Sequence, residues 1–380
     1  VNKGVGRPAF PEQLRAEVMA SLHCVDFVAI NLWPSAVETI KTIQPNIFAK
    51  GDEFKNLKDT IGHVNHEEEA VRLVGGKIAF TSDITFSSSA LINQYLANFS
   101  EDVRQFLDDL SKRHPPASIL QYLKDASDKR VLVLGETIID EYSYCEVMGK
   151  SGKEPVLVSR YHSTDRFGGG VLACANHLAS FVNNVDLVTY LGEGMDQIDF
   201  VRSNLKANIN ATFFEKSKSP TIVKQRYVEK YLGQKMFEVY HINDNPLTKA
   251  ENDSFCKYLS EHIADYDLVV VADYGHGMLS KEAIEILTTK AKFLAVNTQS
   301  NAGNNGFNTI SKYPRADYVC MAQREFALET RNREMKPEEM IAQVAEKTKC
   351  SKVMLTQGKY GCMTFDPAIG YAQVPSFGTQ

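Results

Sequence analysis

Residues 130–140 read Arg-Val-Leu-Val-Leu-Gly-Glu-Thr-Ile-Ile-Asp, and the reading of Val131-Leu132-Val133-Leu134 decides the fold class. Four consecutive apolar residues closed by a glycine mark a strand buried on both faces, the kind a parallel sheet between helical layers requires. Gly135 then suits the first strand-to-helix turn of a new sheet. Downstream, the runs Val185–Tyr190, Leu268–Ala272, Phe293–Asn297, Tyr318–Met321 and Val353–Thr356 alternate with helical stretches such as Ala250–Ile263 and Lys281–Ala291. A large α/β sheet is therefore expected from residue 130 onward. Tyr142–Tyr161 and Pro220–Tyr240 break this rhythm, because polar residues alternate there with apolar or aromatic ones. That period belongs to half-exposed antiparallel strands, and such strands would form a small flap over the sheet's edge. Upstream, Leu91, Tyr95, Phe99, Phe106 and Leu110 recur at helical spacing until His114-Pro115-Pro116 stops them. This predicts a helical connector and a domain boundary near 112–129. Before it, Leu14–Leu22 reads as helix, Val25–Ile30 as strand, Ala36–Ile43 as helix and Ile47–Lys50 as strand, a second, smaller parallel α/β pattern.

Bulk properties narrow the function classes. Lys and Arg total 42 against 47 Asp and Glu, a formal charge of −5 without a long basic run, which argues against a nucleic-acid or anionic-membrane surface while leaving small anionic ligands open. The longest apolar runs fall far short of the roughly 20 residues a spanning helix needs, and no signal segment opens the chain, so a cytoplasmic protein is expected. Seven scattered cysteines without a Cys-x-x-Cys pair read as buried thiols, with no metal site implied. The chain opens on Val1 in what reads as the middle of a motif, so the sequence is expected to be a fragment.

Glycine-rich turns at helix starts offer backbone N–H groups to anions. Gly149-Lys150-Ser151 lacks the earlier glycine of a P-loop, Tyr144 standing in its place, and Gly192-Glu193-Gly194 lacks the third glycine of a dinucleotide fingerprint. Phe167-Gly168-Gly169-Gly170 differs, because it precedes a small-residue helix carrying Asn176 and His177, and three glycines allow close approach of a ligand or another backbone. Asp140 lies just beyond a strand's C-terminal end, where open α/β sheets bind ligands; it can hold a substrate hydroxyl or cap a helix. Asp273-Tyr274-Gly275-His276-Gly277 and Thr356-Gln357-Gly358-Lys359-Tyr360-Gly361 repeat the layout.

In this order and spacing, these segments resemble the ribokinase-like (PfkB) family of carbohydrate kinases, and especially the kinase half of bifunctional heptose-phosphate kinase and nucleotidyltransferase enzymes; Thr221 to Arg226 and Glu325 add to the match, which covers 130–380. The resemblance implies that Asp140, Gly168, Gly169, Gly170 and Asn176 hold the sugar, with Lys224 and Arg226 reaching from the flap and Asp273 on the substrate side. Thr356, Gly358 and Gly361 would line the ATP site, and Glu325 would help organise Mg2+. The family's Asn-x-x-Glu element carries Ala322 here at its first position. Its Gly-Ala-Gly-Asp element, with the general base and the anion-stabilising helix start, is expected beyond Gln380. Should the base lie within the chain, Asp273 is the first candidate.

The first 112 residues resemble the cytidylyltransferase-like nucleotidyltransferases of the same bifunctional enzymes, through Lys3-Gly4-Val5-Gly6-Arg7-Pro8, Arg15, Val25-Asp26, Pro45-Asn46-Ile47, Lys50-Gly51-Asp52 and Phe86-Ser87-Ser88-Ser89. Lys3, Arg7 and Lys50 would meet the phosphates of CTP or ATP, and Ser87, Ser88 and Ser89 would add donors at a helix start. The His-x-Gly-His signature of that family is expected before Val1; His63 and His66 read as surface residues. The expectation is thus a Rossmann-like nucleotidyltransferase domain (1–112, connector to about 129) followed by a ribokinase-like α/β domain with a small β flap (130–380). The parent protein would phosphorylate a sugar or sugar phosphate with ATP and Mg2+ and join a nucleotide to a sugar phosphate, in nucleotide-sugar biosynthesis of the ADP-heptose kind. Residues 1–380 by themselves are expected to bind ligands without turning over. The partners are small molecules, neither nucleic acid nor membrane, with room for a homodimer. The alternative is a noncatalytic sugar- and nucleotide-binding or regulatory module.

Overall fold

The computed structural model describes residues 10–33, 35–51, 63–81 and 99–378. The chain divides into two units, Val1–Asn98 and Phe99–Gln380. In the first, helices α1 (Glu12–Ala20), α2 (Val37–Ile43) and α3 (His63–Leu73) accompany strands β1 (Ile47–Gly51) and β2 (Lys77–Thr81). The two strands pair in parallel, Ile47 opposite Lys77 through Gly51 opposite Thr81. Ile40, Ala70 and Val71 form the small core, with Val37, Phe48, Val74 and Ile78 packed against it. The strand expected over Val25–Ile30 does not form. No strand among the described residues pairs with it, Phe27 is 96% exposed, and Asn31 turns the chain by donating to the carbonyls of Trp33 and Ser35 at 3.0 Å each.

The second unit begins with α4 (Glu101–Arg113) and α5 (Pro116–Ser127), split where the sequence places its prolines; Pro116 opens α5, where a missing N–H costs nothing. The sequence reading makes this stretch a connector, yet it is grouped with the second unit. Phe106 meets Phe377 edge-on with ring centroids 6.0 Å apart, and the Asn183 N–H donates to the Ser127 carbonyl at 2.8 Å. Apolar side chains on α4 find their partners there, so the second unit starts at Phe99.

Next come β3 (Val131–Gly135), β4 (Thr137–Lys150), β5 (Leu157–Gly170), α6 (Val171–Leu178), β6 (Val185–Leu191), α7 (Ile198–Ser203), β7 (Ile209–Glu215), β8 (Ile222–Glu229) and β9 (Lys235–His241). The chain closes with α8 (Lys249–His262), β10 (Leu268–Asp273), α9 (Lys281–Lys290), β11 (Leu294–Thr298), β12 (Tyr318–Ala322), α10 (Gln323–Thr330), α11 (Pro337–Thr348), β13 (Lys352–Thr356), β14 (Cys362–Asp366) and β15 (Gly370–Val374). Nine strands form one sheet in the order β15-β14-β13-β12-β11-β10-β3-β6-β7. From β13 to β7 all neighbours are parallel, and β14 and β15 add antiparallel edge strands. The central β3 shows why its sequence had to be apolar throughout: Leu132 and Leu134 enter the core on one face, Val131 and Val133 the core on the other. Local signals agree, as in the Thr248–Glu251 capping box that opens α8.

Gly135 does not open a strand-to-helix turn as the sequence suggests. The chain runs on into the 14-residue β4, which leaves the main sheet for a four-stranded sheet of order β5-β4-β8-β9. The turn into a helix comes one hairpin later, at Gly170. This second sheet is the flap. Its outer pairs are antiparallel, but β4 and β8 run parallel, because β6 and β7 intervene between them in the chain. The seven cysteines are free thiols. No helix among the described residues is long and apolar enough to cross a membrane.

Candidate active site

In the flap, register does the positioning. Asp140 on β4 lies opposite Lys224 on β8, Tyr142 opposite Arg226, and on β9 Tyr240 and Glu238 continue the same rows, so their side chains share one face of the pleat. Arg226 Nη1 donates to Asp140 Oδ1 at 2.5 Å, its Nε lies 3.3 Å from Glu238 Oε1, and its guanidinium sits 5.2 Å from the Tyr142 ring centroid. Tyr240 donates its hydroxyl hydrogen to Glu238 Oε2 at 2.5 Å, and burial together with that carboxylate pushes the phenol up to about 12. Lys224 is buried with its ammonium 5.2 Å from the Tyr240 ring, and burial lowers its pKa. Asp140 is no helix cap. It is an oriented carboxylate with Oδ2 against Gly169, where a Cβ would come within 2.0 Å of that oxygen. Only glycine allows Asp140 its place, and Gly168 and Gly170 complete the run into α6. Asn176 does not face this group: its amide donates to the Asn204 carbonyl at 2.7 Å and accepts from the Lys206 N–H at 3.0 Å, tying α6 to the turn after α7.

Below the flap's root lies a buried acidic cluster that sequence reasoning saw only in part. Asp273, ending β10, is 1% exposed and takes four hydrogen bonds: Gly275 N–H and Asn308 Nδ2 on Oδ1 at 3.0 and 3.1 Å, Tyr313 and Lys312 on Oδ2 at 2.6 Å each. With its lone pairs engaged it acts as a brace and offers nothing to a substrate hydroxyl, against its expected place among the substrate ligands. Glu136, between β3 and β4, accepts the N–H groups of Tyr274 and His276 at 2.9 and 3.0 Å. Burial, reinforced by Asp273, raises its pKa to about 7. His276 pairs through Nδ1 with Asp244 Oδ1 at 2.7 Å, and burial followed by Lys224 lowers its pKa. Glu136, Asp244, Asp273, Phe307, Asn308 and Lys312 line a recess of about 210 Å3.

An asparagine-rich strap closes one side of this recess. Asn301 and Asn304 each donate to the Tyr274 carbonyl, at 2.7 and 3.0 Å, and Asn308 donates to the Asp273 carbonyl at 3.0 Å. Neither Glu136 nor the strap stands out in the sequence reading. A signal existed in the four asparagines and two glycines between 301 and 308, a density that favours side-chain-supported turns.

The 356–361 loop, expected from the sequence to meet the nucleotide, lies at the C-terminal ends of the parallel strands. Thr356 ends β13, its hydroxyl 3.4 Å from the Met321 carbonyl. Gly358, at φ 57°, has open space where a side chain would stand, whereas a Cβ on Gly361 would strike the Val374 carbonyl at 1.9 Å. Gly358 is thus the accessible glycine, and Gly361 fixes the loop against β15. Glu325, in the first turn of α10, accepts the Ser300 N–H on Oε1 at 3.3 Å; its Oε2 is buried with no hydrogen-bond partner. In the first unit, Lys50 ends its side chain on Glu67, which also accepts the Ala36 N–H at 3.2 Å. Lys3, Arg7, Ser87, Ser88 and Ser89 lie outside the described residues.

Residues 128–378 match the family described as pfkB family carbohydrate kinase. The chain belongs to that family. The bifunctional protein HldE of Desulfatibacillum aliphaticivorans is 26% identical over 251 residues, 63% of this chain and 49% of that protein. HldE of Bradyrhizobium diazoefficiens is 24% identical over 265 residues, 68% and 53% of the two chains. The pfkB chain thus spans about half the length of these relatives. Among solved structures, Escherichia coli phosphofructokinase-2 in complex with fructose-6-phosphate has a TM-score of 0.50 at 15% identity, covering 66% of this chain and 81% of that one; its tetrameric inhibited form gives the same TM-score at 13% identity, with the same coverage. The ribokinase-like α/β fold is therefore shared, and the family match itself makes residues 128–378 a pfkB-type carbohydrate kinase domain.

Proposed function

We propose that the second unit transfers the γ-phosphoryl group of ATP to a hydroxyl of a sugar or sugar phosphate held under the flap. The observation that carries this reading is the Asp140–Arg226–Glu238 chain across β4, β8 and β9, with β4 continuing directly from the C-terminal end of β3, on the same side of the parallel sheet as the end of β13 that bears the Thr356–Gly358 loop. Acceptor and donor subsites then lie along that side, as open α/β sheets favour. Asp140 accepts hydrogen bonds from sugar hydroxyls in a geometry set by Arg226, and Lys224 adds positive charge beside it. The attacking hydroxyl forms a new O–P bond as the bond to the ADP oxygen breaks, and its proton passes to a base. Saturated Asp273 is not that base and serves to hold the 274–277 loop. Glu325, a carboxylate with one buried oxygen unpartnered, suits a hard cation, and Mg2+ bound with the nucleotide supplies neutralisation of the phosphate charge.

The reading extends to the first unit. Its β1-α3-β2 crossover places Lys50 near the C-terminal end of a parallel strand, as a nucleotidyltransferase would need, and the matching relatives are named bifunctional. Nucleotidyl transfer to the sugar phosphate, and a place in nucleotide-sugar synthesis of the ADP-heptose kind, are proposed on this ground. Equal affinity of the first unit for a nucleoside and its triphosphate would remove that half of the proposal. For the kinase half, ADP release from ATP is followed with a panel of sugars and sugar phosphates. In the whole protein, sugar-dependent ADP release that Asp140→Asn abolishes is the expected result. Sugar and ATP binding without ADP release from the whole protein would instead favour a noncatalytic binding module.

A further inference from the structure

β11 and β12 are parallel neighbours, and their exits lie side by side. Asn297 Nδ2 donates to the Cys320 carbonyl at 2.6 Å, Thr298 Oγ1 lies 3.1 Å from Met321 Sδ, and two residues later the Ser300 N–H reaches Glu325 Oε1 at 3.3 Å. Between these contacts sits Ala322, which precedes α10 as its N-cap residue and provides no side-chain cap. A polar side chain is thus missing at the one position where the family's Asn-x-x-Glu element carries it. Across the gap, two residues past the end of β11, comes Ser300, whose Oγ is buried and without a hydrogen-bond partner, as is Glu325 Oε2. Two residues joined by a hydrogen bond from the Ser300 backbone N–H to the Glu325 carboxylate thus each hold one unpartnered oxygen out of solvent. Buried polar atoms are nearly always paired, so such a couple is the mark of groups that acquire their partner from a ligand.

We propose that Ser300 is a positioning residue for the metal–nucleotide complex, its hydroxyl replacing from the segment after β11 the polar group that Ala322 does not supply at the end of β12. The proposal rests on the kinase reading. One metal-bound water donates its two hydrogens to Glu325 Oε2 and to Ser300 Oγ, so that both oxygens act on the ion through that water. A group of this kind orients the bound ion without touching the reacting atoms, and its loss typically costs about 10–100-fold in metal affinity.

The test uses Mn2+ as the probe, with ADP present and absent, followed by electron paramagnetic resonance and calorimetry on the whole protein. Ser300→Ala should weaken Mn2+ binding in the ADP complex by about tenfold or more while leaving metal-free ADP affinity unchanged, and Ser300→Thr should behave as the unaltered protein. In the Ser300→Ala background, Ala322→Asn should restore Mn2+ affinity, a rescue that a merely structural role for Ser300 would not give. Unchanged Mn2+ affinity in Ser300→Ala, or equal losses with and without the metal, overturns the assignment. If the unaltered protein binds neither ADP nor Mn2+ with ADP, the kinase reading itself falls.

Discussion

Asp140 illustrates how one residue gathers its meaning from four strands: β4 carries it, β8 supplies Arg226, β9 supplies Glu238 behind the arginine, and β5 clears space with Gly169. Asp140→Ala should weaken sugar binding by roughly 1.5–3 kcal/mol, the range for hydrogen bonds to a charged group, and calorimetry on the folded variant would refute the role by showing unchanged affinity. Glu136 makes a pH prediction. Its folded pKa of about 7 lies above its ordinary value, so the native state binds the proton more tightly than the unfolded chain. The stability this contributes is full below about pH 4.5 and is lost as pH rises through about 7. Denaturant unfolding of the protein and of Glu136→Gln from pH 5 to 8 should therefore show the unaltered protein losing stability relative to the variant with rising pH; parallel curves would exclude the assignment. Asp140 and Thr356 stand out because their spacing from apolar strands is local information, and Glu325 enters through the family resemblance alone; the ligands of all three are proposed. Glu136 and Asp273 were not legible in this way, since their roles depend on backbone donors and a tyrosine, a lysine and an asparagine brought in from far along the chain.

Elements were read well where burial is two-sided. The all-apolar runs of the parallel strands can hardly be anything else, and β3, β6, β10, β11, β12 and β13 fall within a residue or so of where the sequence places them. Val25–Ile30 is apolar apart from Asp26 but lacks a described neighbour to pair with, and apolar character without a partner does not make a strand. The flap's alternation revealed strands but not their pairing, because a period of two says which face a residue takes and nothing about the direction of its neighbour. The asparagine strap escaped for another reason: its order comes from side-chain hydrogen bonds, which leave no hydrophobic period. Asn308→Ala should therefore destabilise the protein by about 1–3 kcal/mol, since it strips one donor from buried Asp273 and the acceptor of Lys312, where an ordinary loop substitution would cost little. Chemical denaturation measures this directly, and a change below a few tenths of a kcal/mol would mean the strap is ornamental.

At the scale of the molecule, the two helices ahead of β3 belong with the pfkB unit through Phe106, Phe377 and the Ser127–Asn183 hydrogen bond. A chain beginning at residue 99 should unfold in one cooperative calorimetric transition, whereas one beginning at residue 130 should melt at lower temperature because it uncovers Phe377; equal melting temperatures would show α4 and α5 to be mere linkers. The sequence boundary near 112–129 followed the prolines, which mark where helices stop but not what they pack against. One further property follows from the path of β3 into β4. The flap is rooted in the centre of the sheet, clamped where Glu136 grips the 274–276 backbone and Ile138 and Ile139 are buried, while its far end around Met148 stands exposed. Mechanically it is a cantilever, not a hinged lid. Deflection of a clamped beam is small near its root and grows toward its tip, so Asp140, four residues beyond Glu136, stays in register with the sheet while the outer half bends. On the proposed kinase reading, a sugar anchored at the root would be aligned with the phosphoryl donor before the tip has moved.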